Sequence, residues 1–113
     1  MTKNYREKYI RFRSDLYAAV KAGVEAERNE TDSGTCNFDT VSVYLPSWKE
    51  AEIREAARMA GIDCSPVVYR CVKTWLFSPR TEGQAAKRTA NAEAMQTELR
   101  RRGYLATVHY QMD

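Results

Sequence analysis

Apolar residues recur at alternating spacings of three and four along the first part of the chain, at Tyr5, Tyr9, Phe12, Leu16, Ala19 or Val20, and Gly23. That stripe fits one face of a 3.6-residue helix and predicts a helix over residues 4–28, with Asn4 as its N-cap. Residues 29–35 are a cluster of turn-forming types and read as an exposed loop. At residues 36–45 the period changes to two. Val41, Val43 and Leu45 fall on one face and Thr40, Ser42 and Tyr44 on the other, the pattern of a strand, which Pro46 ends.

Ser47 and Glu50 have the spacing of a capping box, in which hydroxyl and carboxylate each satisfy the other's backbone amide. They predict a second helix over 48–60, whose stripe Ile53, Ala56, Ala57 and Ala60 is small enough to let a helix sit close to a sheet. Gly61 stands at the left-handed position after it, followed by apolar Ile62. The run 67–77 is β-branched and aromatic without a turn signal. It reads as one strand of about 36 Å, longer than its neighbours, so an overhang or a bulge is expected. Thr81 and Gln84 repeat the capping-box spacing before a third helix over 82–102, with Ala85, Ala92, Met95 and Leu99 inward and Gly103 after it. A last strand, 104–112, sets Ala106, Val108, Tyr110 and Met112 against Leu105, Thr107, His109 and Gln111.

The expected fold is a two-layer α/β (or α+β) domain of order α-β-α-β-α-β, a three-stranded sheet with helices packed mainly on one face. If the strands are parallel, the two crossovers should be right-handed. Clean apolar–polar alternation in the first and last strands implies that the other sheet face is at least partly open. Ser42, Tyr44, Thr107, His109 and Gln111 would stand on it. Arg70 joins them if the middle strand turns Tyr69, Cys71 and Trp75 inward. Such a face can be solvated, can stack bases, or can pair with a second copy to form a homodimer.

With 113 residues, 43% of them apolar and 29% charged, the chain has room for one compact core and reads as a single domain, 1–113. No apolar stretch approaches the ~20 residues of a membrane span, and no secretory leader is evident. Three cysteines are too few for a disulfide framework, which points to a cytoplasmic protein with free thiols.

Eighteen Lys and Arg against fifteen Asp and Glu leave a net charge of +3, too mild to name a partner by itself. The distribution is more informative. Arg100, Arg101 and Arg102 close the third helix, Arg80, Lys87 and Arg88 lie near its start, and Arg6, Lys8, Arg11 and Arg13 crowd the first helix. Cations in a last turn favour the helix dipole, so the triplet has a structural reason to exist. If the clusters meet, they form a phosphate-contacting patch. The polar loop offers a third surface, with Asp32, Ser33 and Asn37 at its tip and Phe38 at its base.

Enzyme chemistry finds little to use. A Cys36–His109 pair oriented by Asp39 can be drawn, but nothing nearby activates the thiol. Cys36, Cys64, Cys71 and His109 contain no short chelating pair, and the glycines form no phosphate-binding loop. No cofactor and no metal is therefore expected. The functional expectation is a non-catalytic macromolecule-binding protein, acting on nucleic acid or on a protein that handles nucleic acid. Inhibitors and accessory proteins of phages and mobile elements are a class with this profile. The alternatives are a self-associating module and, last, the Cys/His enzyme.

Overall fold

The computed structural model describes residues 2–31, 37–81 and 85–111. Helix α1 spans Thr2–Glu27, strand β1 Thr40–Val43, helix α2 Glu50–Ala60, strands β2 Cys64–Tyr69 and β3 Val72–Phe77, helix α3 Ala86–Arg101, and strand β4 Ala106–His109. Three helices and a four-stranded sheet of order β2-β3-β1-β4 make a mixed α/β fold in which every pairing is antiparallel.

This differs from the expected three strands and parallel crossovers at one place, the run 67–77. The chain reverses at Arg70-Cys71, whose φ angles are 52° and 66°. Two central residues in the left-handed region make the tight turn that suits the twist of a hairpin, a conformation that usually calls for Asn-Gly. Arg-Cys gives no such signal, so one long strand is in fact a hairpin of six paired residues a side. Tyr69 and Cys71 are consequently exposed, and only Trp75 of the three expected inward residues is buried.

Two helix starts also depart from the sequence reading. Ser47 takes a φ of 65° and makes no capping box; the N-cap of α2 is Lys49, without a side-chain cap, while Glu50 pairs with Arg54 at 2.9 Å. Gln84 lies outside the described residues. The N-cap of α3 is Ala85, and Thr81 Oγ1 donates to Glu27 instead, at 3.0 Å. The helix ends are simpler. Gly61 has φ 76°, where any Cβ would be strained, and the amides of Gly61 and Ile62 donate to Arg58 and Ala57. Gly103 and Tyr104 close α3 through Arg100 and Leu99 in the same way.

The core lies on one side of the sheet. Val41, Val43, Trp75, Phe77, Ala106 and Val108 meet Phe12, Leu16, Ala19 and Val20 of α1, Ile53, Ala56, Ala57 and Ala60 of α2, and Ala92, Met95 and Leu99 of α3. Helix α1 lies between the other two; the small residues of α2 bring it against α1 more than against the sheet. Phe12 is the hub, with edge-on ring contacts to Trp48, Phe77 and Tyr104 at 5.2, 6.0 and 5.4 Å. Full burial of such a side chain contributes about 1.5–3 kcal/mol.

Candidate binding face

With the helices on one side, alternation sends the remaining strand residues to the other. Ser42 sits at the middle of this outer face, opposite Leu76 on β3 and Thr107 on β4. Thr40 pairs with His109, and Ser65, Val67 and Tyr69 pair with Leu76, Thr74 and Val72. The ladder continues past the formal strand ends. Phe38 N–H donates to Gln111 at 2.7 Å and Tyr44 N–H to Leu105 at 3.0 Å, which brings those four residues onto the same face by register.

None of these outer positions is Asp, Glu, Lys or Arg, in a chain of which 29% is charged. The polar ones are mostly hydroxyls, and several turn inward. Ser42 Oγ donates to the Thr107 carbonyl at 3.3 Å and Thr74 Oγ1 to the Val43 carbonyl at 2.9 Å. A hydroxyl spent on the sheet's own backbone presents its carbon side outward, so the face is less polar than its sequence suggests. Phe38, Tyr44, Tyr69, Val72 and Leu105 all stand exposed on it, Leu105 at 70% and Tyr69 at 68%. Asp63, just before β2, is the nearest charge along the ladder, at the margin where Ser78 N–H donates to its carbonyl.

The hairpin extends this face. Strand β3 pairs with β2 over six residues but with β1 over three, so its first half continues beyond β1. On edge strand β2, Val67 and Tyr69 continue the outer face there, while exposed Val68, paired with Lys73, points to the opposite side. Arg70, expected on the face, is instead in the turn, its guanidinium 5.4 Å from the Tyr69 ring centre.

The α1 and α3 clusters touch at one point, where Arg11 and Arg102 share Asp15 and Arg11 Nη2 donates to the Arg102 carbonyl at 3.3 Å, but most of these basic residues have partners inside the fold. Arg102 reaches Asp15 at 2.8 Å and Glu98 at 2.5 Å, and Arg101 pairs with Glu98. Those hydrogen bonds hold the Glu98 carboxyl below its ordinary range. Arg100 Nε donates to the Ala106 carbonyl at 2.7 Å. Arg11 lies 3.4 Å from Asp15, and Arg13 binds Glu52 at 2.9 Å. Arg88 donates to the Asp39 carbonyl at 3.0 Å, with partial burial lowering its pKa. Arg6 is exposed on the first turns of α1, and Arg80 lies beside Gly61 at the end of α2.

Of the expected loop tip, Asp32 and Ser33 lie outside the described residues. Asn37 is tied down, its Nδ2 donating to the Ala85 carbonyl at 3.0 Å and Thr89 Oγ1 at 3.2 Å. Of the Cys/His arrangement, Cys36 lies outside the described residues, and Asp39 turns to the helix side. It accepts from Thr89 Oγ1 at 2.7 Å and from the Gln111 amide at 2.8 Å, whereas His109 belongs to the outer face. Burial pushes the Cys64 thiol up, away from the reactive thiolate. Among the described residues no three His, Cys, Asp or Glu side chains gather as a metal site, and no helix is long and apolar enough to cross a membrane.

The structure thus brings together Ser42, Tyr44, Thr107, His109 and Gln111, and adds Phe38, Val67, Tyr69, Val72, Leu76 and Leu105. The last two strand residues were visible as alternation partners; Val67, Tyr69 and Val72 were hidden by the unrecognised turn. No protein-family model matches this chain, and no curated protein or solved structure does either.

Proposed function

We propose that this protein is a non-catalytic binding module whose working surface is the outer face of its sheet, and that a second copy of the chain occupies that face. The supporting observation is the absence of charge across four strands. A solvated sheet face in a protein this rich in charge carries Lys, Glu or Arg; a face that is covered does not need them. Two copies facing each other across a two-fold axis bring every side chain near its own twin, so any charge would meet a like charge. Within its strands this face has none to oppose; Asp63 and Arg70 stand only at its margins.

The face is small. Four strands about 4.8 Å apart and up to about 20 Å long outline roughly 400 Å², half of what each partner of a standard interface buries, so a weak, concentration-dependent dimer is expected. Apolar patches of that order on a monomer mark interaction sites. A nucleic acid finds less here. Phosphate contact needs cations, the face has only Arg70 at its hairpin tip, and Arg100, Arg101 and Arg102 already have acceptors within the fold.

Sedimentation velocity of the full chain from low to high micromolar concentration is the direct test. A dimer is expected, and Tyr44→Lys or Thr107→Lys should return it to monomer, with the thermal midpoint unchanged at concentrations where the parent is itself monomeric. A strict monomer at every concentration, or a dimer indifferent to both variants, overturns the reading.

A further inference from the structure

A cleft of about 860 Å³ opens on the helical side of the molecule, away from the sheet face. One wall is a single stripe of α1, in which Tyr17, Lys21, Val24 and Arg28 succeed one another at spacings of four, three and four. Ala60 at the end of α2 lines it, and Arg80 and Lys87 close it from the segment leading into α3 and its first turn. Helical spacing lines up Lys21 and Arg28, and tertiary packing brings Arg80 and Lys87 to them.

Their state is unlike that of the six arginines that enter ion pairs. Arg11, Arg13, Arg54, Arg58, Arg101 and Arg102 each hold a carboxylate. Lys21, Arg28, Arg80 and Lys87 enter none of the ion pairs or side-chain hydrogen bonds found among the described residues. The cleft does contain Glu25 and Glu27. Glu27 is buried and its two oxygens are taken, Oε1 by Asn91 Nδ2 at 2.6 Å and Oε2 by Thr81 Oγ1 at 3.0 Å. Four cations against two carboxylates leave the cleft positive, and its lower wall, Val20 and Val24, is apolar.

We propose that this cleft binds an organic phosphate of the nucleoside di- or triphosphate class. Guanidinium groups of Arg28 and Arg80 can each take two phosphate oxygens, and Lys21 and Lys87 supply point charges. Val20, Val24 and the exposed ring of Tyr17 offer a surface for a flat, weakly polar base. The volume falls within the ~300–1,000 Å³ of small-ligand sites. The site shares no residue with the sheet face, so the proposal is independent of the dimer.

The test is calorimetric titration of the full chain at low salt with ADP, pyrophosphate, adenosine and a single-stranded oligonucleotide. ADP and pyrophosphate should bind, adenosine should not, and affinity should fall as salt rises. Lys21→Glu and Lys87→Glu should each weaken ADP by about tenfold or more without moving the thermal midpoint, and Tyr17→Ala should weaken ADP but not pyrophosphate. Absence of ADP binding overturns the proposal, as does binding that both lysine variants leave intact. Oligonucleotide binding without ADP binding overturns it as well, since the phosphate source is then a nucleic-acid backbone.

Discussion

Asn91 of α3 rests directly on Gly23 of α1: a Cβ at position 23 would come within 2.9 Å of Asn91 Cγ and 3.0 Å of its carbonyl oxygen, and nearer still to Oδ1. The glycine sits in a helix because no side chain fits there. Its place in the α1 stripe lets a fully buried amide reach Glu27 at 2.6 Å and the Arg80 carbonyl at 2.9 Å. Gly23→Ala should therefore destabilise by about 1–3 kcal/mol, although alanine gains roughly 1 kcal/mol in helix propensity. Denaturant unfolding checks this. In an Asn91→Ala background most of the penalty should vanish, a non-additivity that a double-mutant cycle reads directly.

Asp15 is the second buried junction. It accepts from Arg102 Nη1 at 2.8 Å and from the Tyr104 hydroxyl at 2.6 Å, tying α1 to the end of α3 and the approach to β4. Asp15→Asn should cost about 2 kcal/mol, the scale of a hydrogen bond to a charged group, and Tyr104→Phe about 1 kcal/mol. Equal stability of Asp15→Asn and the parent would show that this junction contributes nothing net.

The pH dependence has two limbs with opposite causes. Burial, then the bond to Asp15, raises the Tyr104 phenol, so the fold favours its protonated form. That contribution is complete below the unfolded value of about 10 and is lost as pH climbs above it. Tyr110, donating to Glu93, shifts in the same direction. Glu98 is lowered by Arg101 and Arg102, so its contribution is present above an unfolded value of 4.5 and is lost as pH falls below it. Unfolding curves across pH should flatten at the acid end in Glu98→Gln and at the alkaline end in Tyr104→Phe. Unchanged slopes would contradict both assignments.

The hairpin turn holds two non-glycine residues at positive φ. Left-handed conformations cost an ordinary residue about 1–2 kcal/mol, so Cys71→Gly should stabilise the protein by about 1 kcal/mol. A fall in thermal midpoint would mean that the Cys71 side chain holds more than the backbone strain costs.

The outer face should be indifferent to charge as long as the chain is monomeric. Tyr44→Lys and Leu105→Lys replace exposed side chains that the core does not use, and stability at low concentration should stay within about 0.5 kcal/mol of the parent. A large loss would place these residues in the fold's own packing and remove the surface from consideration.

How much of this was legible depended on periodicity. The α1 stripe, the alanine stripe of α2 and the Met95–Leu99 face of α3 repeat at helical spacing, and the buried set follows them. Ser42, Tyr44, Thr107 and His109 could be assigned to one face because β1 and β4 alternate cleanly. Leu105 alternates with them in the same way, whereas Phe38 lies beyond the formal strand and the register Phe38–Gln111 brings it in. Capping-box spacing at Ser47 misled because it also needs an extended backbone there, and Ser47 has φ 65°.

The amino-acid order by itself determined the helices, the ends of α2 and α3 at Gly61 and Gly103, and the inner and outer residues of β1 and β4. These are local properties, set by side-chain spacing and by which residues tolerate a left-handed φ. Tertiary structure decided the rest. The reversal at Arg70-Cys71 is a conformation those residues adopt only because β2 and β3 pair on either side of it, and it makes the sheet antiparallel and four-stranded. The same packing spends Arg100, Arg101 and Arg102 on neighbours while gathering Lys21, Arg28, Arg80 and Lys87 around one cleft. Pairs one helical turn apart, such as Arg101–Glu98, can be read from spacing; Arg102–Asp15 and Arg13–Glu52, and the cations left over in the cleft, depend on distances between elements far apart in sequence.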